Sequence, residues 1–338
     1  MSAGPEIIEE FDCFGSRCAA LVIGSGRAGS ARDGADLVRH ALLAWHQRFS
    51  RFLVTSELSR LNRDRRQTVP VCPLMAHFAQ AVRSAAALSG GLVDGTLLGA
   101  IERAGYVADL TQPLALTTAL ALAPPRTPAA GAASRRWEEL VVDLVEGTVT
   151  RPPDLMLDGG GLAKGLFADI LGETLASHES FAVNCAGDLL LGGSGSLTRP
   201  IKVESPFDRR TLHTFELAHT GVATSGIGRR SWLDRNGLPA HHLLDPSTGR
   251  PAYTGVVQVT ALSPSALGAE IKAKAALLSG PRAAPRWLAH GGVIVFDDGS
   301  HQVVPPPPTV MLGQLSRHVR RPGSAAHENE PATGATAG

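Results

Sequence analysis

The sequence predicts an α+β fold of mainly antiparallel strands with packed helices. Three observations lead there. Short runs of strand formers succeed one another across glycine-rich or polar turns, helical periodicity is confined to a few segments, and the two do not alternate as a doubly wound sheet requires. The 338 residues, 43% of them hydrophobic, are enough to bury a large core. Aromatic residues are only 5% and glycines number 37, so small side chains carry much of the packing.

Taken in order, residues 11–23 are rich in strand formers and end at Gly24-Ser25-Gly26. Residues 36–51 place Leu37, Ala41, Leu42, Trp45 and Phe49 at helical spacing, and a polar connector runs over 51–62. A helix is predicted over 73–88, stopped by Gly90-Gly91, and a shorter one over 97–103, stopped by Gly105. The Ala/Pro-rich stretch 111–134 has little pattern and is expected to be a surface excursion, partly helical. Glu146-Gly147 then marks a hairpin between 139–144 and 148–151. A strand over 155–158 should run into a helix over 162–176, whose Leu162, Leu166, Phe167, Ile170, Leu171 and Leu175 form a broad apolar face. Strands follow at 181–185, 188–191, 200–204, 212–218, 221–223, 229–234 and 256–262. Ser263-Pro264 signals a helix opening, with serine as N-cap, and that helix should end at Gly280. A short helix and a closing hairpin, 292–296 with 301–304, complete a domain over 1–304. The proline-led tail 305–338 has a composition expected to be disordered.

The bulk properties exclude several functions. A net charge of +1 with no single-sign block argues against a nucleic-acid or membrane-surface protein. The four cysteines form no C-x-x-C pair and lack zinc-site spacing, so free thiols in a reducing compartment are expected. The opening residues lack a basic segment followed by an apolar one, and no apolar run has bilayer-spanning length. A cytoplasmic protein is expected.

Two glycine-punctuated segments point to chemistry. In Asp158-Gly-Gly-Gly161-Leu-Ala-Lys164-Gly165, a backbone free to approach a ligand meets a helix start and a lysine, a recipe for holding a diphosphate. Asp158 offers an acceptor to a ribose or a ring N–H. In His242-Leu-Leu-Asp245-Pro-Ser-Thr-Gly249, an imidazole able to act as general base precedes a tight turn. On a strand His241 would point away from His242, so at most one of the two faces a site. Thr224-Ser225-Gly226 and Asn184-Cys-Ala186-Gly-Asp188 are strand ends with small or polar residues.

These segments occur in one order with Phe14-Gly-Ser, Ser56-Glu-Leu-Ser-Arg-Leu-Asn62 and Val93-Asp94-Gly-Thr96. In that order they resemble the successive motifs of the ApbE-type FAD:protein FMN transferases, over roughly residues 10–300. The resemblance implies an ApbE-like (T-fold-like) architecture and a magnesium-dependent cleavage of FAD. FMN would be joined through a phosphoester to a threonine or serine of an acceptor protein, with AMP released. It also implies that Phe14, Phe52, Leu92, Val93, Asp94, Asp158 and Lys164 line the FAD site, with Thr224, Ser225, Gly226 and Leu244 close by. His242 would be the base, and the metal would be held by the Gly161 carbonyl and by two positions four apart, 270 and 274.

At those two positions this chain has Glu270 and Lys274 where the family usually has aspartate and threonine. Glutamate is still an oxygen ligand, but a lysine ammonium has no lone pair for a metal. At 4 Å from a dication its repulsion is about 8 kcal/mol at an effective dielectric near 20. Three readings stand at this point. Lys274 turns away into a helix ion pair with Glu270 worth about 0.3–0.5 kcal/mol, it replaces the metal, or transfer is lost and the chain only binds flavin. A hydrolase releasing FMN and AMP from FAD is a further alternative. Two other departures are Phe14, where methionine is frequent, and Ala186, where glycine is common.

Overall fold

A computed structural model of the chain describes residues 4–307, apart from 109 and 111. Its main sheet has eight strands: Ile7–Cys13, Ser16–Ile23, Ser180–Cys185, Asp188–Gly192, Gly221–Gly226, Val256–Ser263, Gly292–Phe296 and His301–Val304. Their order across the sheet follows their order along the chain, and each neighbouring pair is antiparallel. The predicted α+β class with mainly antiparallel sheet is what forms.

Seven helices are described: α1 (Ala31–Phe49), α2 (Glu57–Arg63), α3 (Pro73–Leu88), α4 (Leu98–Arg103), α5 (Leu116–Leu122), α6 (Ala163–Leu175) and α7 (Ala266–Ser279). One part of the core joins α1, α3 and α6 to the first strands through Phe11, Val38, Leu42, Phe78, Phe167, Leu171 and Val183. Another joins α7 to the later strands through Val222, Val259, Ala273, Leu277 and Ile294.

Several elements differ from expectation for identifiable reasons. Residues 11–23 are not one strand, because the chain reverses at Phe14 (φ 55°) and Gly15 (φ 66°), the two left-handed residues of a tight hairpin. Helix α1 starts earlier, at the capping box of Ser30 and Asp33. The supposed connector 51–62 contains α2, opened by Ser56, whose hydroxyl accepts from Ser59 N–H at 3.0 Å. Residues 155–158 add no strand to the sheet and make only an isolated parallel bridge, Met156 with Leu97. Helix α7 is capped by Ser265 rather than Ser263, which ends the preceding strand. The capping is shared with Asp169 of α6, whose carboxylate accepts from Ala266 N–H (2.7 Å) and Leu267 N–H (3.0 Å). A partner nearly a hundred residues away leaves no local signal. The excursion 111–134 does contain a helix, α5, although residue 111 lies outside the described residues. Of the tail 305–338, residues 308–338 likewise lie outside them.

Candidate active site

The glycine-lysine segment is placed by a side chain rather than by a sheet. Asn62, at the end of α2 and 8% exposed, gives its amide to the backbone of Leu157. Nδ2–H donates to Leu157 O, and Leu157 N–H donates to Oδ1, both at 2.8 Å. This copies the paired bonds of an antiparallel strand, so Leu157 is satisfied without a neighbouring strand. Asp158 N–H then donates to Gly95 O at 2.8 Å. Gly159–Gly161 form a single 3-10 turn, so glycine is needed here for space and not for a left-handed backbone. A Cβ on Gly159 would lie 3.3 Å from both Leu58 Cδ2 and Phe49 O.

Helix α6 opens directly after this turn with no side-chain cap, so its positive end belongs to the same wall. Gly165 lets α6 touch α7, since a Cβ there would be 2.8 Å from the Leu267 Cα and N. That approach ties the Gly165 N–H to Glu270 Oε2 at 3.0 Å. The other Glu270 oxygen, Oε1, is 2.8 Å from Lys274 Nζ. Nearby, Lys164 Nζ is 2.5 Å from Asp188 Oδ2. Burial alone would lower Lys164, but the Asp188 and Glu270 carboxylates outweigh it and raise its ammonium above the usual range. Burial opposes ionisation of Glu270, and Lys274, Lys164 and the Gly165 N–H overcome it, holding the carboxyl below its ordinary value.

His242 follows a short strand, and its backbone N–H donates to Arg230 O at 3.3 Å. The turn after it is closed by Asp245, whose carbonyl accepts from Gly249 N–H (2.8 Å) and whose Oδ1 accepts from Ser247. Burial, then the charges of Arg230, His241 and Lys274, push His242 well below the usual imidazole range. The ring is therefore neutral at pH 7, and its buried Nδ1 has no partner among the described residues. His241 packs edge-on against Tyr253 with ring centres 4.8 Å apart, away from the cavity, as alternation predicts.

One cavity collects these groups. Its polar part is lined by Gly159, Gly160, Gly161, Lys164, Arg230, His242 and Lys274. Its other walls include Phe14, Phe52, Leu92, Val93, Asp94, Tyr106, Asp158 and Leu244. Arg51 lies here too, 4.4 Å from the ring centres of both Phe52 and Tyr106 and 3.6 Å from Asp158 Oδ1. Tyr106 stacks in turn on Trp232 at 5.1 Å. Burial raises the Asp94 carboxyl against two hydrogen bonds from Thr96. Such a cavity offers cations and backbone amides to a diphosphate beside aromatic rings suited to a flat heterocycle.

The sequence resembles the model of the ApbE family over residues 15–296. The chain belongs to the ApbE family. A curated relative from Rhodobacter capsulatus, named FAD:protein FMN transferase, is 30% identical over 309 residues, covering 88% of this chain and 56% of that protein. One of the same name from Salmonella typhimurium is 26% identical over 250 residues, 71% of this chain and 69% of that protein. The chain thus spans little more than half the length of the Rhodobacter relative. Among solved structures, the ApbE protein of Thermotoga maritima superposes with a TM-score of 0.69 at 22% identity, covering 88% of this chain and 97% of that one. The flavinyl transferase ApbE of Pseudomonas stutzeri gives 0.69 at 20%, covering 90% and 96%. The fold is the ApbE fold.

Not every residue that the ApbE resemblance nominated reaches the cavity. Thr224, Ser225 and Gly226 lie on their strand outside its wall, paired with Thr260, Val259 and Gln258. The Thr224 hydroxyl is 2.8 Å from that of Thr260. Glu270 sits behind the wall and reaches it through Lys274. Conversely, Arg51, Tyr106 and Arg230, which no motif marks, line the cavity, and Asn62, the last residue of the Ser56–Asn62 motif, holds Leu157. Arg51 had one signal, its place beside Phe52. Arg230 had none, since it lies in a stretch expected to be strand.

The magnesium site that the resemblance implies does not fit these residues. Lys274 presents an ammonium where an oxygen ligand is required, and both Glu270 oxygens are engaged. Among the described residues no group of three His, Cys, Asp or Glu side chains is arranged to hold a metal ion. The pair is also no ordinary exposed ion pair, because the Glu270 and Lys274 side chains are 1% and 11% exposed.

Proposed function

We propose that this chain transfers FMN from FAD to a threonine or serine hydroxyl of an acceptor protein, and that residues 1–304 carry the activity. The observation that carries this reading is the meeting of Lys164 and His242, 78 positions apart, in one cavity beside Phe52 and Asp158. The names of the relatives support it.

In this reading the Gly159–Gly161 turn, the open end of α6, Lys164 and Arg230 bind the diphosphate. Phe52 and Tyr106 pack on a ring of the flavin or the adenine, and Asp158 accepts from an N–H or hydroxyl. Leu92, Val93, Asp94, Phe14 and Leu244 complete the pocket. The acceptor hydroxyl gives its proton to His242, and its oxygen forms a bond to the FMN phosphorus. The bond from that phosphorus to the bridging oxygen breaks, and its electron pair leaves with AMP. The proton on His242 then passes to solvent. The four cysteines are unpaired, which suits a reducing, cytoplasmic setting, and no described helix is long and apolar enough to cross a membrane.

The test is incubation with FAD and an acceptor domain bearing a Thr-Gly-Ala-Thr stretch, read by intact mass. Those four residues also occur in this chain as Thr333-Gly334-Ala335-Thr336, so its own mass is followed in the same experiment. An FMN-sized gain is expected, lowered about 10²–10⁴-fold in rate by His242→Ala. AMP and FMN released with no gain on any polypeptide would make the protein a hydrolase instead.

A further inference from the structure

We propose that Lys274 takes the part of a divalent ion, so that this chain binds FAD and transfers FMN without a divalent metal. The inference rests on the transfer reading above and concerns how the same site neutralises its ligand.

The geometry is that of a built cation site. Lys274 lines the cavity with Lys164 and His242, and a Cβ on Gly161 would be 3.7 Å from its Cε, so the chain of the lysine lies along the glycine turn. Glu270 holds the ammonium at 2.8 Å and is itself fixed by the Gly165 N–H at 3.0 Å. The carboxylate is thereby oriented by α6 and sits almost wholly out of solvent. An ammonium has three donors, and Glu270 engages one, leaving two for oxygens of a ligand. Lys164 repeats the arrangement, with Asp188 behind it at 2.5 Å. Two lysines, each backed by a buried carboxylate, thus face one cavity. Phosphate oxygens bind ammonium groups, as they bind magnesium, by charge, but the ammonium acts as a point charge and does not impose the octahedral geometry that magnesium requires. A dication entering beside Lys274 would meet a like charge, with the Glu270 carboxylate already engaged by Lys274 and Gly165 and the Asp188 carboxylate by Lys164.

The test uses the full chain stripped of metal. FAD binding is followed by flavin fluorescence in EDTA and in magnesium chloride, and Mn2+ binding by electron paramagnetic resonance. The wild type should bind FAD within about twofold in the two buffers and should bind no Mn2+. Lys274→Thr should lose FAD affinity by about tenfold or more in EDTA, regain it with magnesium, and acquire a bound Mn2+ signal. Lys274→Arg, which keeps the charge, should remain metal-independent. Tight FAD binding by the wild type only with magnesium, or a bound Mn2+ signal in the wild type, overturns the lysine proposal alone. Failure to bind FAD in either buffer overturns the FAD reading with it. The wild-type measurements decide the matter even where a variant does not fold.

Discussion

Arg51 Nε lies 3.6 Å from Asp158 Oδ1, and the same guanidinium sits 4.4 Å from the ring centres of Phe52 and Tyr106. The pair links the segment just after α1 to the start of the glycine turn, so the aromatic and anion-binding parts of the cavity are positioned together. Arg51→Ala should weaken FAD binding about tenfold, as expected for a partly desolvated cation on aromatic faces. Arg51→Lys should restore little of it, because a point charge cannot stack as the planar group does. Titration of flavin fluorescence measures both.

The pH profile follows from His242. Burial and the charges of Arg230, His241 and Lys274 lower it well below 6.5, so the free protein holds a neutral imidazole across neutral pH. As pH falls, protonation of the base removes activity only below that value. The acid limb of kcat/KM for transfer should therefore lie below pH 6.5, with a flat profile from there towards pH 8. An acid limb above pH 6.5 would contradict the assignment.

Asn62 should matter for both folding and binding. Asn62→Ala leaves the Leu157 N–H and carbonyl buried without the two 2.8 Å bonds they now make. The expected cost is about 1–3 kcal/mol, seen as a lower denaturant midpoint. Because Leu157 precedes Asp158, the KM for FAD should rise as well.

Gly165 controls the contact between α6 and α7. A methyl group would meet Leu267 backbone atoms at 2.8 Å, and backbone cannot rotate away. Gly165→Ala should destabilise by about 1–3 kcal/mol and loosen the Gly165–Glu270 hydrogen bond. Thermal unfolding reads the first effect, and weakened FAD binding the second.

Ala186 occupies a left-handed position (φ 55°) in the hairpin before Asp188, followed by Gly187 at φ 100°. Such a conformation costs an L-residue about 1–2 kcal/mol. Part of that is returned by the lower entropy of alanine in the unfolded chain. Ala186→Gly should stabilise by a net ~0.5–1 kcal/mol, readable as a small rise in Tm.

The α+β class and the extent of α3 were legible in the sequence, because each depends on local period and punctuation. Pro73 starts that helix, and Gly90-Gly91 follow its end at Leu88. The opposite facing of His241 and His242 was legible for the same reason. Other features needed distant partners. Residues 155–158 lacked a strand because the Asn62 amide satisfies Leu157 in place of one, and α7 began at Ala266 under the Asp169 carboxylate. Thr224, expected close by the FAD site, has its hydroxyl 2.8 Å from that of Thr260 on the next strand, a pairing that no local signal marks. For Lys274 the sequence set the charge and its i, i+4 spacing from Glu270. Only the packing of α6 on α7 decided that the pair is buried in the cavity wall, since solvent exposure is a property of all the elements around a residue and not of its neighbours in the chain.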